Sequence, residues 1–169
     1  MATSRRAGSP DARNAPVESD PPSAPPPTRM AIALLALVGT LISTYLLLHT
    51  LGWIGVLVCG AGDCDLVQSS AYASFLGAPV PAWGVIGYGA LLAVALASIQ
   101  ERWLADRRVA ILLFTLATLG FAFSAYLTFV EAFVLRLWCR WCIGSAVIAT
   151  CIFLLAWPEL NRSRNGLPR

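Results

Sequence analysis

Four apolar runs organise this sequence, at residues 30–49, 82–99, 109–130 and 138–157. Each is close to the roughly 20 residues that cross a hydrocarbon core of about 30 Å at about 1.5 Å per residue. Four such runs, almost free of interior charge in one short chain, argue against a buried soluble bundle. The pattern predicts an all-α integral membrane protein: a four-transmembrane-helix bundle with an extracytoplasmic loop between helices 1 and 2. The second run is the shortest. The fourth carries Arg140 near its start, so its first turn is expected at the interface.

The flanks differ in kind. Residues 1–29 are rich in Pro, Ala, Ser and Arg and end near Pro25-Pro26-Pro27. Such a stretch buries too little apolar surface to offset its ordering entropy and is read as a disordered cytoplasmic tail. Arg5-Arg6 is not taken as a twin-arginine leader. The apolar run starts over twenty residues later, is too long for a signal core and lacks a small-residue cleavage site, so the tail is expected to be retained. The membrane domain is placed at residues 30–157, with a second cytoplasmic tail at 158–169.

Composition sharpens this picture. Hydrophobic residues make up 57% of the 169 and charged residues 12%, where ordinary globular domains have about 25% charged. Mean hydropathy is +0.69. The formal charge is only +3, with no basic patch for nucleic acid. All 12 basic residues are arginine, and their placement gives the orientation. Arg5, Arg6, Arg13 and Arg29 precede the first run; Arg102, Arg107 and Arg108 lie between the second and third; Arg162, Arg164 and Arg169 follow the fourth. Only Arg136 and Arg140 fall on the opposite side. The positive-inside rule then puts both termini and the middle loop in the cytoplasm. The outside receives residues 50–81 and the short connection 131–137.

With one His, nine acids and five Cys, cysteine is the side chain best supplied for chemistry. Cys59 and Cys64 fall in the outer loop, and Cys139-Arg140-Trp141-Cys142 opens the fourth run at the same side. Thiols outside the cytoplasm meet oxidising conditions, so disulfides are expected. A CxxC in the first turn of a helix meets free backbone N–H groups and the positive end of the macrodipole, which favour a thiolate. A stabilised thiolate leaves readily, making that disulfide easy to open. Cys59 and Cys64 are separated by Gly60-Ala61-Gly62-Asp63, whose glycines permit turning and motion. One fixed pair and one mobile pair suit a relay. Two alternatives stand beside it. The disulfides could be staples, although a CxxC loop constrains little unfolded chain. Four thiolates could hold zinc, although such sites use knuckles in soluble folds and need reduced sulfur. No metal is expected. Cys151, inside the fourth run, is read as an inert core residue.

The stretch Cys64-Asp65-Leu66-Val67-Gln68-Ser69-Ser70-Ala71-Tyr72, with Leu76-Gly77-Ala78-Pro79-Val80-Pro81-Ala82-Trp83-Gly84, resembles the vitamin K epoxide reductase family. So does the order of parts, a wide loop pair first and a CxxC opening the last helix. The resemblance covers residues 30–157 and implies a quinone (menaquinone or ubiquinone) held near the outer surface beside the CxxC. It implies that bacterial members oxidise a secreted thioredoxin-fold protein and pass electrons to that quinone. By the same resemblance, Cys59 exchanges with the partner, Cys64 carries electrons to Cys139, and Cys142 faces the quinone. Ser70 matches a serine near the quinone ring, although Ser69 or Ser70 could instead cap a loop helix. Trp83 and Trp141 adjoin these motifs and are expected to line the quinone pocket.

Vertebrate members carry an asparagine before the Trp-Gly position and a tyrosine four residues after the CxxC. Here those places hold Pro79-Val80-Pro81 and Ala146, which favours the bacterial role in a bacterial cytoplasmic membrane. With no thioredoxin-like domain in this chain, the expected partner is a separate DsbA-like protein. The DsbB family has the opposite order of pairs. An outward thiol carrier would need more than the single deeper Cys151, and transport would need ionisable groups deep in the spans. The competing class is a non-catalytic membrane scaffold with structural disulfides.

Overall fold

The computed structural model describes residues 27–55, 64–103 and 106–164. Cys59, residues 1–26 and residues 165–169 lie outside the described residues. The apolar runs form four long helices, α1 (Pro27–Thr50), α3 (Val80–Ile99), α4 (Arg107–Phe129) and α5 (Arg140–Arg164). Between the first two come a short helix α2 (Cys64–Gln68) and a hairpin of β1 (Ser74–Phe75) and β2 (Ala78–Pro79). The chain is an all-α membrane bundle, each long helix apolar and long enough to cross a bilayer.

Local chemistry sets the helix ends. Pro27 opens α1 and Pro81 sits in the first turn of α3, where a missing N–H breaks no helical bond. Asp106 caps α4, its carboxylate accepting from the Arg108 N–H at 2.8 Å. The hairpin turns at Leu76 and Gly77, both at positive φ, the backbone that a two-residue turn requires. Within the spans Thr40, Thr44, Thr118, Thr128 and Thr150 each donate to the carbonyl four residues back, which satisfies their hydroxyls where no water is available.

The helices extend past the apolar runs. Thr28 and Arg29, read above as the end of the tail, are helical and packed: Arg29 Nε pairs with Glu159 at 3.1 Å and Nη1 donates to the Ser98 carbonyl at 2.7 Å. Thr28 adds a bond to the other Glu159 oxygen at 2.7 Å. A polar clamp thus ties α1, α3 and α5 at the end remote from the CxxC. Glu159 reaches it because α5 continues through Pro158 to Arg164.

Small residues let α1 and α3 approach closely, as membrane helices require when lipid gives no hydrophobic push. A Cβ on Gly39 would stand 2.6 Å from the Tyr88 ring, and one on Gly84 would collide with Ser43. Four residues down α1 match four residues back along α3, the register of an antiparallel pair. Ile32, Ala36, Tyr88, Leu91, Ala95, Leu113 and Ile152 fill the centre. Leu34, Leu41, Val147 and Leu154 are exposed away from the cavity, the surface expected against acyl chains.

Candidate functional site

At the end of the bundle opposite the clamp, α4 does not simply stop. It widens into a π-helical turn over Val130–Leu135 and is then ended by Arg136 in the left-handed region at φ 54°. Such turns shift a helix's side chains out of their regular register and are frequent at functional sites. The chain then reaches Cys139, immediately before the first residue of α5.

Cys139 and Cys142 form a disulfide, with Cα atoms 5.2 Å apart. Cys139 is at the N-cap position. Its carbonyl accepts from the Ile143 N–H, and its Sγ accepts from the Cys142 N–H at 3.3 Å. A sulfur thus takes the capping role usually filled by a side-chain oxygen. Cys139 is 0% exposed and Cys64 1%, and the two share one buried cluster with Leu46 and Val67. Cys64 opens α2 and is itself disulfide-bonded. Next to it, Asp65 meets His49 Nε2 at 3.4 Å, which links α2 to the end of α1.

Beside the CxxC lies a cavity of about 330 Å³ lined by all four long helices and α2, within the range typical of small-ligand sites. Its walls are mostly apolar, with Cys142, Ser70, Ser145, Tyr88, Gln68 and Glu131 among the polar members. An apolar chamber with a few hydroxyls and one sulfur at its wall suits a lipid-soluble quinone ring. Ser70 is on that wall, whereas Ser69 is exposed and bonded to the Leu66 carbonyl. Ser70 sits at the cap position of a 3-10 turn but makes no side-chain cap; its Oγ–H donates to the Val67 carbonyl at 2.7 Å. Donation to a ligand would mean giving up that bond.

Trp83 lines the cavity, held by a 3.0 Å bond from Nε1 to the Phe75 carbonyl and by an edge contact with the Phe75 ring. Trp141 does not line it. Trp141 meets the Tyr45 ring in a tilted contact, with centroids 5.3 Å apart, and packs with the buried cluster around Cys64 and Cys139. Cys151, the free cysteine among the described residues, is not part of the cavity wall.

Two further residues line the cavity, of which Glu131 escaped sequence reasoning. Tyr88 reaches across to α5, its hydroxyl 2.8 Å from the Ser145 carbonyl and 2.9 Å from Ser145 Oγ. Glu131, read above as part of an outer connection, is 6% exposed and lines the cavity. Its carboxylate accepts from the Cys139 N–H, and one of its oxygens lies within 4.8 Å of both CxxC sulfurs. The available clue was its isolation, as the only acid between Asp106 and Glu159. Compared with known families, the chain matches the model of the Vitamin K epoxide reductase family over residues 30–157, most of its length.

Proposed function

The chain belongs to the vitamin K epoxide reductase family, a family of membrane redox enzymes that work on disulfides and quinones, and we propose that it reoxidises a separate DsbA-like protein outside the cytoplasm. Two electrons enter at Cys59, pass to Cys64, then to the CxxC, and leave from Cys142 to a membrane quinone. The observation that carries this reading is the split position of one disulfide. Cys139 is buried with Cys64, and its bonded partner Cys142 forms part of the cavity wall.

The chemistry follows from that placement. A thiolate at Cys64 attacks Cys139 Sγ, the Cys139–Cys142 bond breaks, and the electron pair goes to Cys142 Sγ. The Cys142 N–H is directed at Cys139 Sγ, the sulfur under attack, and the positive end of the helix macrodipole favours charge on the sulfur of the first turn. Trp83 and the other apolar walls surround the ring, and Ser70, once released from the Val67 carbonyl, offers a hydroxyl to a ring carbonyl. A quinone, when bound, supplies the acceptor for two electrons and two protons.

The test is reconstitution: purified protein, a reduced thioredoxin-fold substrate and a short-chain ubiquinone, with quinol as the readout. Cys64→Ala should accumulate a mixed disulfide between Cys59 and the substrate, because the resolving thiol is gone. Full activity in that variant would reject the relay. Disulfides that resist mild reduction and ignore quinone would return the chain to a scaffold.

Orientation is open to a separate check. Ten of the twelve arginines map to one side, which supports a bacterial cytoplasmic membrane with both termini inside. A reporter fused after Arg169 should be cytoplasmic, and one inserted beside Asp63 external. An external C-terminal reporter would reverse the side assigned to every cysteine.

A further inference from the structure

Opening a disulfide leaves two sulfurs that need protons, and closing it releases them. In a mostly apolar cavity, a titratable group close to the sulfurs is best placed to exchange those protons. The candidates are few. Besides Glu131, the titratable groups on the cavity wall are Cys142, Tyr72 and Tyr88. Tyr88 is engaged with Ser145, and Tyr72 stands exposed. From α1, His49 is paired with Asp65 of α2. Arg136 and Arg140, the nearest cations along the chain, are exposed. The described residues lining the cavity include no Arg, Lys or His.

Glu131 is placed differently from all of these. The π-helical turn brings it to the cavity wall, the Cys139 N–H holds its carboxylate, and a carboxylate oxygen stands within 4.8 Å of both sulfurs. One water or a small side-chain rotation closes such a gap to hydrogen-bond reach. We propose that Glu131 is the proton carrier of the Cys139–Cys142 pair, giving a proton to Cys142 Sγ when the disulfide opens and taking it back when the disulfide re-forms.

The step balances. An incoming thiolate forms a new bond to Cys139 Sγ, the Cys139–Cys142 bond breaks, and the electron pair stays on Cys142 Sγ. The Glu131 carboxyl proton moves to that sulfur and leaves a carboxylate. On re-oxidation the Cys139–Cys142 bond re-forms, the electron pair passes to quinone as the oxidant, and the Cys142 S–H proton returns to Glu131; the quinone takes up two protons, equal in number to those the two incoming thiols release, to give quinol. Over the cycle two thiols become one disulfide, and Glu131 is neither consumed nor oxidised. The inference rests on reading Cys139–Cys142 as a redox-active pair.

Infrared difference spectroscopy tests it without quinone. Full-length protein in detergent is reduced with dithiothreitol, and the reduced-minus-oxidised spectrum is followed in the carboxyl C=O region. The wild type should show a carboxyl band that shifts in D2O. Glu131→Gln, which keeps an acceptor for the Cys139 N–H, should lose the band, and Glu131→Asp should move it. A second measurement uses prereduced protein and a short-chain ubiquinone. Glu131→Gln should form quinol on the order of 100-fold more slowly, at a rate that no longer follows the pH profile of the wild type. Absence of the band from the wild type, its persistence in Glu131→Gln, or an unchanged quinol rate would overturn the proposal. If the wild type reduces no quinone while the band still tracks the disulfide, the quinone reading falls and the role of Glu131 stands.

Discussion

Cys142→Ser is expected to abolish quinol formation altogether, in contrast to the partial losses expected at the cavity's hydroxyl groups. The electron pair released when the CxxC bond opens has one destination, Cys142 Sγ, and that is the CxxC sulfur on the cavity wall. Serine keeps the shape but forms no disulfide. A DsbA-like partner has a potential of about −120 mV, so it is reoxidised only by an acceptor of still higher potential. Cutting the route to that acceptor stops turnover. Cys64, buried in the same cluster as Cys139, should then be caught in a stable mixed disulfide with it, since the resolving sulfur is missing. Anaerobic stopped-flow on prereduced protein measures the first effect, and peptide mass spectrometry detects the second. Unchanged quinol formation would mean that the electrons leave by another route.

The largest structural effect is expected at the other end of the bundle. Arg29 and Glu159 side chains are 4% and 7% exposed, and their ion pair joins the first turn of α1 to the last turns of α5. Removing one partner of a buried ion pair costs about 3–5 kcal/mol. Glu159→Ala should therefore lower the melting temperature in detergent by roughly 10 °C. Glu159→Gln should lose less, because it keeps an oxygen for the Thr28 hydroxyl. The double variant Arg29→Met with Glu159→Leu should recover most of the loss, since no charge is then left unpaired. A single variant as stable as wild type would show that water or lipid headgroups solvate the pair.

The four helices were legible because a bilayer demands continuous apolar runs, and nothing else in the chain has that length. Their ends were less so. Once a helix leaves the hydrocarbon it needs no apolar residues, and so Thr28, Arg29 and Glu159 were read as flanks although they are helical and packed. The CxxC position was readable from spacing alone. Trp141 was not, because adjacency in sequence misleads on a helix: its neighbour Cys142 points about 100° away around the axis. Trp83 reaches the cavity because the hairpin at Ser74–Pro79 folds against it. Glu131 was missed for a different reason. Nothing in an apolar run announces a π-helical turn, so a carboxyl that ends up on the cavity wall looked like the start of a loop.

The two sulfurs of the CxxC bond have different surroundings: Cys139 is fully buried beside Cys64, and Cys142 forms part of the cavity wall. Such a bond behaves like a conductor with two terminals. In the proposed relay, a thiol arriving at Cys64 meets Cys139, and an oxidant in the cavity meets Cys142. The two half-reactions then take place at opposite ends of one bond, and charge passes between them without either reagent having to meet the other.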